Sequence, residues 1–156
     1  MQHDLKKIVD HIRNRPYMSG VVRDELRIKS TSEIFTPTPL VQKVLDHTPP
    51  VYFTDSSKTI CDSSCGDGQF LGECLIRRIE NGVEFKEALS TIYGVDIMPE
   101  NVDQCRDRLL CGQEHLRPIV ERNIICADAL RYHYRFDGTD PYKTEQDLHF
   151  DKFFAE

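Results

Sequence analysis

At 156 residues the chain is long enough for one domain with a real core and too short for two comfortable ones. Hydrophobic residues make up 39% and no long apolar run occurs, which excludes a membrane-spanning helix. The formal net charge of −6 argues against tight independent binding to nucleic acid, where phosphate contacts dominate affinity.

The N-terminus, "MQHDLKKIVDHIRNRP", alternates charged and apolar residues and lacks the apolar core of a secretory leader, so a cytoplasmic protein is expected. Leu5, Ile8, Val9 and Ile12 follow the stripe of an amphipathic helix that ends before Pro16. Residues 17–33 read as irregular, with a short helical turn around 21–26. Pro37 and Pro39 in "EIFTPTPL" force extended backbone before them. Thr38 is then expected to cap a helix with Pro39 at its first position and Leu40, Val41, Val44 and Leu45 as its apolar stripe. "DHTPP" ends it.

"KTICD" (58–62) reads as a buried strand. "GQFLGECLIRRIENG" follows as a helix with Phe70, Leu71, Cys74, Leu75 and Ile79 inward, stopped at Asn81-Gly82. "FKEAL" is one more helical turn, and "STIYGVDI" a second strand ending in Asp96. Pro99 opens the helix "PENVDQCRDRLL", with Val102, Cys105, the Arg106 stem, Leu109 and Leu110 inward. Gly112 ends that helix, and "ERNIICAD" is a third strand ending in Asp128. Strand, glycine turn, helix, strand, helix, strand is half of a doubly wound α/β sheet. Right-handed crossovers put strand one in the middle, with two and three to one side.

Six cysteines (61, 65, 74, 105, 111 and 126) form no CxxC pair, and His115 and His133 do not stand at zinc-finger spacing. They read as reduced packing residues, and no metal site is expected. The basic clusters "RIK" (27–29), "RR" (77–78) and "RYHYR" (131–135) read as solvated faces.

Ligands of such sheets sit beyond the carboxyl ends of the strands. Asp62, Asp96 and Asp128 lie at those ends. The acid after strand two can grip a ribose through its vicinal hydroxyls. The turn "CGDG" (65–68) lets backbone approach a ligand, while the absence of GKS or GKT rules out a Walker loop. It is not GxGxxG either, which disfavours a nicotinamide cofactor. Asp62 would repel a pyrophosphate and attract a cation. A ligand with a ribose, an adenine-like ring and an ammonium group suits these groups, and S-adenosylmethionine fits.

"EIFTPTPLVQKVLD", "ICDSSCGDGQFL", "IYGVDIMPENV" and "NIICADAL" resemble, in order and spacing, adenine-specific DNA methyltransferases of the restriction-modification type. The resemblance runs from about Ile34 to Phe154. It implies a partial Rossmann-like methyltransferase fold, a mostly parallel sheet with flanking helices, over residues 34–156 behind an N-terminal helical segment, 1–33. It further implies that Phe35, Thr36 and Pro37 line the methionine end of the cofactor. Asp62 and the turn of Cys65, Gly66 and Gly68 would hold its amino acid moiety. Asp96 would take the ribose hydroxyls, with Ile97 against the adenine, and Asp128, flanked by Ala129, would accept from the adenine amino group.

Two departures stand out. Ser63 and Ser64 replace the Pro-Ala of the family's D-P-A-C-G-x-G, a loss of rigidity that local serine hydrogen bonds can offset. The [ND]-P-P-[YF] block that holds and stacks the target adenine is missing. "TDPYK" (139–143) has one proline and reads as a turn, and "HFDKFFAE" (149–156) resembles the start of the strand that leads into that block. No catalytic residue is therefore assigned. The expectation is a cofactor-binding half that binds DNA weakly if at all. Through 149–156 it pairs with a second copy or with a complementing methyltransferase chain, and Phe150, Phe153 and Phe154 dock there or against the sheet.

Overall fold

The computed structural model describes residues 2–13 and 36–138. Three short strands, β1 (Ile60–Asp62), β2 (Ile92–Asp96) and β3 (Ile124–Cys126), form a parallel sheet in the order β1-β2-β3. Ile60 stands opposite Ile92, and Gly94 opposite Ile124. The helices are α1 (Gln2–Arg13), α2 (Thr38–Leu45), α3 (Val51–Thr54), α4 (Gln69–Glu80), α5 (Phe85–Ser90), α6 (Pro99–Leu110) and α7 (Arg117–Asn123), with a 3-10 turn at Glu114–Leu116 before α7. The fold is mixed α/β: a small parallel sheet with flanking helices.

Alternation along the strands divides the interior in two. Ile60, Ile92 and Ile124 point into the larger core, where Leu71, Cys74 and Leu75 of α4 meet Val102, Cys105 and Leu109 of α6. Gly94 lets α4 come this close: a methyl group there would lie 2.8 Å from Leu71 Cδ1 and 2.9 Å from Cys65 Sγ. On the opposite face Val95, Ile125 and Ala127 pack under Tyr132, with Ala129 and Phe136 beside it.

Buried polar side chains serve carbonyls that the short strands leave over. Arg78 donates to the carbonyls of Tyr52, Lys58 and Ala88 and to the Thr91 hydroxyl. Asn123 Nδ2 donates to the carbonyls of Leu89, Ser90 and Ile92. Helix α1 belongs to the same core. Ile12 is buried against Gly72, and Arg13 forks onto Glu73 with two 2.8 Å bonds, which Gln42 extends at 3.2 Å.

Several expectations change. Pro37, in extended backbone, takes the cap position of α2, so Thr38 is already helical and no side chain caps the helix. Val41 and Leu45 are buried there, but Leu40 and Val44 are 50% and 47% exposed, because the inward stripe of this short helix is one row wide. Residues 121–123 close α7 rather than open β3, which ends at Cys126, two residues before Asp128. In α6 the fully buried arginine is Arg108; Arg106 is half-buried and donates to the Ile124 carbonyl. β2 and β3 lie to one side of β1 as expected, but among the described residues β1 is an edge. The readings of 17–33, 139–143 and 149–156 lie outside the described residues, as does Phe35. No helix among the described residues is long and apolar enough to cross a membrane.

Candidate functional site at the carboxyl edge of the sheet

β1 ends at Asp62, and the chain turns back over residues 63–68 into α4. Gly66 (φ 54°) and Gly68 (φ 90°) hold left-handed backbone that glycine adopts without steric cost. Gly68 also sits where α6 presses hardest, since a methyl group on it would lie 2.8 Å from Cys105 Sγ. The Cys65 amide donates to the Val95 carbonyl at 3.0 Å, which lays the turn alongside β2.

Asp96, the last residue of β2, closes the arrangement. Its Oδ2 accepts from the Gly66 amide at 2.9 Å, and its Oδ1 accepts from the Met98 amide at 2.9 Å and from Asn101 Nδ2 at 3.2 Å. A carboxylate offers about four acceptor positions. Three are used here, so Oδ2 keeps one for an incoming hydroxyl. Asp62 accepts from the Ser64 main-chain amide at 3.0 Å, so the local bond comes from the backbone and not from a serine hydroxyl. Burial raises the Asp62 carboxyl above its usual range, the Ser64 amide partly offsets this, and the neighbouring Asp96 charge raises it further. A cation placed beside Asp62 would relieve both causes of the rise.

The remaining predicted residues spread around this pair. Ile97 is 48% exposed beside Asp96, as a residue facing a flat ring would be. The Ala127 amide donates to the Asp96 carbonyl, which brings Asp128 and the half-buried Ala129 next to β2. Asp128 Oδ1 accepts from the Leu130 amide at 2.9 Å, an Asx turn that leaves further acceptor capacity. Helix α2 runs parallel to α4: Gln42 reaches Glu73, and Arg77 reaches the Gln42 carbonyl and Asp46. Thr36 and Pro37, at the start of α2, therefore lie at the same end of the molecule as the glycine turn.

Cys65 is a packing residue. Its thiol is buried, and a hydrogen bond with Cys105, burial and the charges of Asp96 and Asp62 all raise its pKa. A protonated buried thiol is a poor nucleophile. None of the six cysteines is disulfide-bonded; Cys65, Cys74 and Cys105 are buried and Cys61 is exposed. A polar cleft of about 360 Å³ lies elsewhere, between α1, α2 and α4. Its Arg13–Glu73 and Arg77–Asp46 pairs are already matched to one another.

Two residues of the site escaped the sequence reading. Sequence alone assigns Asp67 no role; its side chain turns inward to Arg108 and is fully buried. Asn101, also buried, orients Asp96. The only signal for the first was an arginine in the apolar stripe just before Leu109-Leu110. The arrangement as a whole offers two carboxylates and an open-backed glycine turn, which suit a cationic, hydroxyl-bearing ligand. Comparison of the chain with protein-family models, curated proteins and solved structures returned no match.

Proposed function

We propose that the chain is an S-adenosylmethionine-binding domain with a partial Rossmann-like fold, related to the adenine-specific DNA methyltransferases. The observation that carries this reading is the 2.9 Å bond from the Gly66 amide to Asp96 Oδ2. It joins the acid after the second strand to the glycine turn after the first, so one ligand can touch both. Asp96 would take the ribose hydroxyls, Asp62 the ammonium group, and Ile97 one face of the adenine. Asp128, beside Ala129, would accept from the adenine amino group, and Phe35, Thr36 and Pro37 would border the methionine end. When bound, this cofactor supplies an electrophilic sulfonium methyl. The residues named here bind and orient it.

These 156 residues contain no N-P-P-[YF] block, so they would bind the cofactor, and positioning of the base would fall to residues outside them. A complementing methyltransferase chain would supply them. A second reading of the same cofactor site is a silent module that regulates a full-length methyltransferase.

Calorimetric titration with S-adenosylmethionine tests the cofactor assignment. Saturable one-to-one heat is expected, and none from correctly folded protein would end the proposal. Tritiated-methyl transfer to unmodified DNA is expected to be negligible for the chain alone and to appear on adding a complementing chain, if the split-enzyme form is right.

A further inference from the structure

The segment after β3 does something that neither the cofactor site nor the core requires. Residues 131–136, Arg-Tyr-His-Tyr-Arg-Phe, alternate basic and aromatic side chains. Tyr132 is buried on the second face of the sheet, and Phe136 reaches Tyr93 of β2 at a centroid distance of 4.7 Å. Arg131, His133 and Arg135 are exposed, and so is Tyr134, at 40%. The chain as a whole carries a net charge of −6, so this segment is a local inversion of sign.

Tyr134 is fixed rather than merely exposed. Its hydroxyl donates to the Ala129 carbonyl at 2.9 Å, and its ring leans on Tyr132 at 5.2 Å and on the edge of Phe136 at 6.0 Å. Tyr134 and Phe136 both hold left-handed backbone, with φ of 53° and 48°. Non-glycine residues hold that region at a cost, as Cys111 does in closing α6, and residues so held cluster at ligand contacts. A solvated basic face needs none of this. A stacking surface does, because a ring already immobilised loses little freedom when a flat partner lies on it.

We infer that residues 131–136 form a docking surface for single-stranded nucleic acid, with a base stacked on Tyr134 and phosphates beside Arg131, His133 and Arg135. Rigid aromatic rings interleaved with cations are the elements that non-sequence-specific single-strand binding uses. A duplex keeps its base faces covered and would gain the charge contacts alone. Asp128, before the segment, opposes phosphate approach there. The surface is separate from the glycine turn and does not depend on the cofactor assignment.

Fluorescence anisotropy with a dye-labelled oligothymidylate, without any cofactor, tests the surface. Two arginine–phosphate contacts predict a log–log salt slope of about −1.4 on a single strand. An abasic oligomer of the same length and a duplex should each bind about 5- to 100-fold more weakly, the range that loss of base stacking produces. Tyr134→Phe should keep binding, Tyr134→Ala should lose it by a similar factor, and Arg135→Glu should flatten the salt slope. Equal binding of thymidylate and abasic oligomers by the unaltered protein overturns the inference without any variant. So does the absence of salt-dependent binding, or binding that persists in folded Tyr134→Ala.

Discussion

Asp67 and Arg108 form an ion pair with both side chains fully buried, Nη2 to Oδ2 at 3.1 Å. The pair ties the residue between the two glycines of the turn to the last turn of α6. Asp67 is in this way a structural anchor for the glycine turn.

Breaking a buried pair leaves an uncompensated charge, which costs about 3–5 kcal/mol. Arg108→Met and Asp67→Leu should each lower stability in urea by that order. The double variant should recover much of the loss, since apolar replacement of both partners is often near neutral. Strictly additive losses would show that the two charges are stabilised independently of each other.

Asp62 leads to a prediction of opposite sign. Its carboxyl is raised in the folded protein above the usual value of 3.8, so folding favours the protonated form. The wild type therefore loses stability as pH rises from about 3.8 through the folded value, where the buried group must ionise. Asp62→Asn keeps an oxygen for the Ser64 amide and removes that loss. Thermal melts should show equal stability near pH 3 and a growing advantage for the variant above it. S-adenosylmethionine binding should fall about 10- to 100-fold, the weight of one charge-assisted hydrogen bond. A variant that is more stable and binds less is the signature of a residue kept for its ligand.

Gly68 combines two constraints that a double-mutant cycle separates. Gly68→Ala incurs the left-handed backbone cost, about 1–2 kcal/mol, and overpacks Cys105 Sγ, about 1–3 kcal/mol more. With Cys105→Ala the nearest remaining atoms, Cys105 Cα and Cβ, lie at 3.5 Å, an ordinary contact. The cycle should return the overpacking part and leave the backbone part. A coupling of zero would mean that α6 moves aside freely and does not shape the turn.

The strands, α4, α6 and the three acids at the sheet edge were legible because they follow from periodicity and turn chemistry. Leu71, Cys74 and Leu75 repeat at helical spacing, and Gly66 and Gly68, two residues apart between a strand and a helix, mark a turn. What escaped was set by partners distant in sequence. Arg108 is buried because Asp67 meets it from forty-one residues away, and spacing within α6 cannot reveal that. The exposure of Leu40 and Val44 has the same origin: the apolar pattern of α2 is wide, but α4 covers one row of it. Residues 121–123 carry no cap or periodic run of their own and are helical as the continuation of the turn begun at Arg117-Pro118.

Asp96 carries the last prediction, because Oδ2 holds the glycine turn and Oδ1 holds the start of α6. Asn can present its one oxygen either to the Gly66 amide or to Met98 and Asn101, and its NH2 then faces a donor on the other side. Asp96→Asn should therefore cost about 1 kcal/mol, the low end of the penalty for an unmatched donor, because these amides are half-buried. It should also speed hydrogen exchange at the Gly66 or Met98 amide while leaving the amides in the middle of α4 unchanged. Asp96→Ala should release both amides. If exchange at Gly66 and Met98 is unaffected by either variant, Asp96 does not hold the turn, and the bond that carries the cofactor assignment loses its meaning.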